Sequence, residues 1–133
     1  MSKPIFHAMS SARKFGGKSE DYIAIHDFFD MSKGAIPDNR HRALTHNSWF
    51  LSNVLERVFG HTITNSDGKI VSTREIGEQH ILEDFGNRFI PSAQDYLQEI
   101  EFKDWMNNGV KGVPPSHAKV VARKKIVKKI DWD

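Results

Sequence analysis

The chain has 133 residues, of which 38% are hydrophobic and 27% charged, and its formal net charge is +2. This length and composition are typical of one globular domain with its own core. The absence of cysteine excludes disulfides, zinc-thiolate sites, iron-sulfur clusters and a thiol nucleophile. A metal ion would therefore have to be held by His, Asp or Glu, and no haem or nucleotide cofactor signature is present.

Two helices are marked by capping residues in the first half of the chain. Ser19 is a typical N-cap and Gly34 a typical stop, which predicts a helix from about residue 20 to residue 32. Asp38 predicts the start of a second, longer helix that ends before Gly60. Apolar residues recur along this helix with the 3.6-residue period, and we expect them to form its buried face: Ala43, Leu44, Phe50, Leu51, Val54, Leu55 and Val58.

A hairpin and two more helices are predicted after Gly60. The segment HTITNSDGKIVST alternates apolar and polar residues around an Asp-Gly turn, which predicts a β-hairpin at about residues 61 to 72. Ser72 with Glu75 and Ser92 with Asp95 are capping boxes for two helices, which glycines terminate at positions 86 and 109. The predicted fold class is therefore mainly α, a single-domain bundle of about four helices with one small hairpin.

The C-terminal segment carries the positive charge. Residues 111 to 133 contain seven Lys or Arg against two Asp, a net charge of +5, whereas residues 1 to 110 have a net charge of −3. We predict a helical domain at residues 1 to 110 and a basic tail or amphipathic helix at residues 111 to 133. The tail is either a solvated segment or a contact for nucleic acid or an acidic protein. Its candidate contact residues are Arg123, Lys124, Lys125, Lys128 and Lys129.

Seven histidines are present, and two of them precede a carboxylate by four residues. Spacing of this kind puts His26 with Asp30, and His80 with Asp84, on one helix face, where the pair can share a metal ion or the carboxylate can orient the imidazole. We expect a site for zinc, manganese, iron or nickel. Its predicted ligands are His26, Asp30, His46, His80 and Asp84, with His7 and His41 as additional candidates. The alternative is that these side chains form ordinary polar pairs or core histidines bonded to backbone carbonyls.

His41 and His46 are five residues apart in the second predicted helix. At about 100° per residue, their side chains point roughly 140° apart, so a straight helix cannot direct both at one ion. We expect Ala43, Leu44 and His46 to face inward, with His41 and Arg42 at the margins of the buried face.

Arg40 and Arg42 are candidate anion-binding residues beside this site. A guanidinium group can bind a phosphate through two parallel hydrogen bonds, and a metal ion can activate water for attack on it. One predicted function is thus a metal-binding domain that acts as a metal-dependent hydrolase on a phosphate-containing substrate. The other is a non-enzymatic binding protein that contacts nucleic acid, a nucleoprotein or a host defence protein through the basic tail.

Five segments along the chain, taken together, are similar to a family of small uncharacterised bacterial and phage proteins classed as a domain of unknown function. These segments are HAMSSARKFGG, IHDFFDMSK, RHRALTH, ITNSDGKIV and IGEQHILEDFG. The resemblance spans about residues 5 to 106 and leaves the basic tail outside. It implies a bacterial or phage origin. The sequence has no run of about 18 apolar residues and no apolar N-terminal segment, so we expect no membrane span, no secretory signal and a cytoplasmic location, in a bacterium or a phage-infected host.

Overall fold

A computed structural model describes residues 3 to 109 and 111 to 117, which are mainly helical with one two-stranded antiparallel hairpin. This confirms the predicted fold class. The helices are α1 (Pro4–Phe15), α2 (Ile23–Phe29), α3 (Arg42–Thr45), α4 (Ser48–Phe50), α5 (Glu56–Phe59), α6 (Thr73–Asp84), α7 (Ala93–Leu97) and α8 (Trp105–Asn108). Short 3₁₀ turns span Ser19–Asp21, Met31–Gly34, Asn39–His41 and Pro115–His117, and a π-helical segment, Leu51–Leu55, joins α4 to α5.

The described residues divide into two compact units, one within residues 1 to 99 and the other from residue 100 onward. All the site residues described below lie in the first unit. The basic residues predicted at positions 123 to 129 lie outside the described residues, so a separate tail from residue 111 stays a prediction. Within the described part of the chain, no helix is long and apolar enough to cross a membrane.

The hairpin forms where the sequence predicts it, from β1 (Thr62–Thr64) and β2 (Ile70–Ser72). In its turn, the side-chain oxygen of Asn65 accepts hydrogen bonds from the backbone N–H groups of Asp67 and Lys69. Gly68 takes a positive φ of 80°, which glycine adopts without steric cost. Asp67 accepts a bond from the N–H of Gly17 at 2.8 Å, so the turn also holds the loop between α1 and α2.

Helix α1 is absent from the sequence prediction. Pro4 occupies its first turn, where the missing N–H costs nothing, and Gly16 ends it with a φ of 89°. Its buried residues are His7, Ala8 and Ser11. Two of these three are polar, so no apolar stripe marks the helix in the sequence.

The single long helix predicted between Asp38 and Gly60 is wrong. Helix α3 stops at His46, which has φ −99° and ψ 61°, and the side chain of Asn47 accepts a bond from the N–H of Phe50 to cap a new helix. Asn47 is a strong N-cap residue, and it competes with helix continuation because it offers the backbone a local alternative.

The helix break changes which residues are buried. Phe50, Leu51 and Leu55 are buried as predicted, but Leu44 and Val58 are half exposed. His41, predicted at the margin, is fully buried. The prediction for Leu44 and His41 was wrong because it used one helical phase across a segment that is interrupted at His46 and begins with a 3₁₀ turn.

The helix predicted from Ser92 to Gly109 is also interrupted. The capping box of Ser92 and Asp95 is confirmed, but α7 ends at Leu97 and α8 starts only at Trp105. Gly109 ends α8 in the left-handed conformation, as a C-terminal glycine commonly does.

The core lies between α1, α2, the π-helical segment and α6. Its buried apolar residues are Ala8, Tyr22, Ile25, Phe29, Phe50, Leu51, Leu55, Val71, Ile76 and Ile81. Gly77 is the point of closest approach, because a methyl group there would lie 2.5 Å from Leu51 Cδ2 and 2.7 Å from Leu55 Cδ2. The missing side chain therefore lets α6 pack directly against the π-helical segment and α2.

We predict that Gly77→Ala destabilises the protein by about 1 to 3 kcal/mol, because the added methyl overpacks the core. Gly34→Ala is the matched control, since a Cβ at Gly34 meets no atom within 4 Å. Urea unfolding curves measure both changes. Equal stabilities of the two variants would contradict the close approach of α6.

Candidate metal centre

Asp84, the last residue of α6, is the point where three histidines meet. Its side chain is only 2% exposed. Oδ2 lies 2.8 Å from Nε2 of His46 and 3.2 Å from Nε2 of His80, and Oδ1 lies 3.3 Å from Nε2 of His7. These side chains come from α1, from the end of α3 and from one turn of α6, so only the folded chain brings them together.

Glu83 sets the orientation of the His7 ring. Nδ1 of His7 lies 2.8 Å from Glu83 Oε1, and a carboxylate can only accept, so Nδ1 carries the proton and donates. Ser10 and Gln79 also donate to Glu83 and fix its position. In neutral His7, the nitrogen that faces Asp84 is therefore the one without a proton.

Thr45 orients His46 in the same way. The single hydroxyl proton of Thr45 goes to the carbonyl oxygen of Phe29, at 2.9 Å. The hydroxyl oxygen, 2.8 Å from Nδ1 of His46, must then accept a proton from that nitrogen. In this tautomer, neutral His46 directs a bare Nε2 at Oδ2 of Asp84, 2.8 Å away, which is also the length of the hydrogen bond that a protonated Nε2 would donate.

His80 is oriented through a longer series of hydrogen bonds, which starts at Gln79. The Gln79 amide group donates to the carbonyl oxygen of His7, and its Oε1 accepts from the Ser11 hydroxyl at 2.6 Å. Because that proton is used, Ser11 can only accept from Nε2 of His26, 2.7 Å away.

The remaining nitrogen of His26, Nδ1, is then an acceptor. It lies 2.9 Å from Nδ1 of His80, which must donate to it. His80 thus carries its proton on the side of His26, and its bare Nε2 faces Asp84. The His80 ring is also stacked on Phe29, with ring centroids 4.2 Å apart, which fixes its plane.

The nitrogens without a proton on His46 and His80 therefore face Oδ2 of Asp84, and that of His7 faces Oδ1. Nε2 of His7 and Nε2 of His80 make no hydrogen bond within the described residues, despite their closeness to Asp84. Nitrogens that bind one ion at about 2.0 to 2.1 Å lie roughly 3 to 4 Å apart. Ligand atoms of His46, His80 and Asp84 lie within 4.8 Å of one another, as do those of His7, His26 and His80. The described part of the chain thus contains buried histidine clusters suited to hold a metal ion.

Burial and contact with Asp84 set the charges of the cluster. Burial lowers the pKa of His46 below its ordinary value, and it lowers the pKa of His80 to about 4 and that of His26 to about 2. For His7, burial acts in the same direction, but the contacts with Asp84 and Glu83 outweigh it and raise the pKa. Burial opposes ionisation of Asp84, yet the hydrogen bonds that His46, His7 and His80 donate to it in their protonated forms hold its pKa well below the usual range. The cluster is therefore an anionic carboxylate among mostly neutral imidazoles.

The structure brings together four of the five predicted ligands: His26, His46, His80 and Asp84. The fifth predicted ligand, Asp30, instead has its Oδ2 atom 3.5 Å from Nζ of Lys33. It belongs to neither metal-compatible group of the described residues. Of the additional candidates, His7 joins the cluster. His41 directs Nδ1 to Ser32 at 2.8 Å, with its ring centroid 5.5 Å from that of His46.

The two arginines are in different environments. Arg40 forms an exposed ion pair with Asp38, at 2.8 Å. Arg42 lies at the site itself, because its Nη2 is 4.0 Å from Oδ1 of Asp84 and its guanidinium group lies over the Phe85 ring.

Three residues that orient the histidines were missed in the sequence: Ser11, Thr45 and Gln79. Each lies close in the chain to a predicted ligand or additional candidate, but no spacing rule distinguishes a hydroxyl or amide that fixes a tautomer from an ordinary polar residue. Hydrogen bonds across 68 residues, such as that between Ser11 and Gln79, have no local signal.

The fold and the cluster define a small helical protein with a buried His-Asp centre, and most of the described chain matches one family. The chain belongs to DUF6915, a domain of unknown function, whose model matches residues 2 to 106. No curated protein and no solved structure matches the chain. The family includes every residue of the cluster and leaves the basic segment beyond Gly109 outside.

We predict that the metal-free protein loses stability as the pH falls from 7 to 4. The unfolded chain takes up protons on His26 and His80 near their ordinary pKa of 6.5, whereas the folded chain takes them up only at about 2 and about 4. His7, with a raised pKa, changes the stability in the opposite direction. Its stabilising contribution is present below pH 6.5 and is lost as the pH rises.

Urea unfolding in the presence of a chelator, repeated at each pH, measures this dependence. The exposed His117→Gln variant should keep the pH profile of the parent protein. Stability that stays constant or increases on acidification would contradict neutral buried histidines.

Proposed function

We propose that this protein binds one divalent transition metal ion through Nε2 of His7, His46 and His80 and the carboxylate of Asp84. The observation that carries the proposal is the commitment of each Nδ1 as a donor, to Glu83, Thr45 and His26 respectively. Metal-binding histidines characteristically donate their second ring N–H to an oxygen or another acceptor, which fixes the ring and leaves the other nitrogen for the metal. Zinc, manganese, iron and nickel suit a shell of nitrogen and oxygen ligands.

A proton on His7 is the competing explanation for the cluster. A protonated His7 would form one ion pair with the Asp84 carboxylate, and protonation agrees with the raised pKa of His7. It would leave the bare Nε2 atoms of His46 and His80 both directed at one oxygen of Asp84, at 2.8 and 3.2 Å. Acceptors at such distances repel one another, and one cation between them removes the repulsion at all three histidines together.

We further propose that the bound ion serves hydrolysis of a phosphate-containing substrate. A divalent ion supplies Lewis acidity and activates water at neutral pH. Four protein ligands complete the tetrahedral shell of a structural zinc site, whereas manganese, iron and nickel accept larger coordination numbers that leave room for water and substrate. Identification of the bound ion would thus distinguish a structural site from a hydrolytic one. The position of Arg42, a candidate anion-binding residue next to Asp84, supports the hydrolytic site.

We predict that the purified protein binds one equivalent of transition metal and that His46→Ala and His80→Ala abolish this binding. Glu83→Gln, which weakens the orientation of His7 without removing a proposed ligand, should reduce the affinity by about 10- to 100-fold. Elemental analysis and metal titration measure both effects. A metal ion at 100 times its Kd should also stabilise the protein by about 2.7 kcal/mol, because it binds only the folded state.

His117→Ala is the control for these variants, since this exposed histidine lies in the second unit. Circular dichroism of the metal-free variants shows whether they fold. Folded parent protein that binds no metal would overturn the proposal. Metal binding without metal-dependent release of phosphate from a phosphate monoester would leave a structural metal site and remove the hydrolase.

A second candidate function rests on the charge of the basic segment, which is +5 over residues 111 to 133. We propose that this segment contacts nucleic acid or another polyanion without catalysis. Replacement of Arg123, Lys124, Lys125, Lys128 and Lys129 by Gln should then weaken binding to duplex DNA, and the binding of the parent protein should decrease steeply with salt. Equal binding by both proteins in a filter or fluorescence assay would refute it.

A further inference from the structure

A surface cavity of about 360 Å³ opens beside the candidate metal centre. It is lined by Asn39, Arg40, Arg42, Ala43, Phe85 and Tyr96. Its lining is connected to the ligands at three points. Phe85 follows Asp84 in the chain, Arg42 contacts the Asp84 carboxylate, and the Tyr96 hydroxyl donates to the carbonyl oxygen of His46 at 3.0 Å.

Arg42 stands between this cavity and the cluster. Its side chain is 14% exposed, so most of it is removed from water. Its Nε atom is buried and makes no hydrogen bond to any described residue. The guanidinium group lies over Phe85, with 5.3 Å from its central carbon to the ring centroid. A buried donor without an acceptor is costly, and the Arg42 side chain also lines the cavity, where an anion can pair with its charge.

The balance of charge around Arg42 depends on the metal. Without an ion, the Asp84 carboxylate is the nearest negative charge to Arg42, with 4.0 Å between Nη2 and Oδ1. A divalent ion bound to Asp84 would replace this negative charge by a net positive one, so the guanidinium group would lose its counter-charge at that moment. The side of the site that faces the cavity would then carry two adjacent positive groups, which favours binding of a doubly charged anion.

The shape of the cavity indicates the rest of the ligand. Tyr96 gives it an aromatic wall, and Ala43 adds a small apolar surface. Phe85 also lines the cavity, but its ring already lies under Arg42 and stacks on Phe89. A planar apolar group can stack on Tyr96 while a charged head group reaches Arg42. The cavity volume lies in the range typical of small-molecule sites.

We propose that this cavity binds an aromatic phosphate monoester, with its phosphoryl group on the Arg42 guanidinium group and its aromatic body against Tyr96. The inference rests on the proposed metal site and names the substrate class of that same site. Arg42 is the specificity-determining residue for the phosphoryl group. Arg40, at the rim, is already paired with Asp38.

Isothermal titration of the metal-loaded and metal-free protein with phenyl phosphate and with inorganic phosphate tests the proposal. We expect phenyl phosphate to bind the metal-loaded protein at least about tenfold more tightly than the metal-free protein, and more tightly than inorganic phosphate. Arg42→Gln should lower its affinity by about tenfold or more while the metal content stays at one equivalent, because a charge-assisted fork is lost. Arg57→Gln is the matched control, since it removes the same charge from an exposed position on α5 that does not line the cavity.

The outcomes separate this inference from the proposed function. If the protein binds metal but phenyl phosphate does not bind, or binds Arg42→Gln and the parent protein equally, the cavity is not the substrate site and the metal site remains. If no metal binds, both fall. Arg42→Lys discriminates further, because a lysine retains the charge without the planar fork and should recover only part of the affinity.

Discussion

A single buried carboxylate, that of Asp84, is the constraint on which the rest of this structure depends. A carboxylate that is removed from water must be compensated by hydrogen bonds or by an opposite charge. Otherwise the group ionises less readily, or its burial destabilises the fold. Here three imidazoles surround the carboxylate, and each comes from a different part of the chain. The carboxylate therefore links the position of α1, the end of α3 and the last turn of α6.

The irregular features of the fold bring these groups to one point. Gly77 lets α6 approach α2 and the π-helical segment, so that His80 stacks on Phe29. The break at His46 turns the chain where a continuous helix would have carried this side chain past the site. A π-helical segment follows immediately, and such segments occur frequently at functional sites.

The atoms that we propose as metal ligands would also contribute to the stability of the fold. A metal ion on Nε2 of His7, His46 and His80 would convert a group of mutually repelling acceptors into a cross-link among three segments. Binding of this kind contributes directly to the free energy of folding, because the site does not exist in the unfolded chain. The pairing of each histidine with its own hydrogen-bond acceptor also defines the chemistry, since it selects the nitrogen that the metal can use.

The sequence by itself determined the mainly α fold class, the hairpin, the capping of α6 and α7, and the concentration of histidines with carboxylates one turn away. These features are local: they depend on side chains within about one helical turn or one β-turn of each other. Helix α1 was missed because its buried face is largely polar, and the break at His46 because the apolar period continued across Asn47. Only the tertiary structure decided that His7 joins the cluster while Asp30 pairs with Lys33, and that Ser11, Thr45 and Gln79 fix the tautomers. Those outcomes depend on contacts between residues far apart in the chain, for which the spacing of residues carries no information.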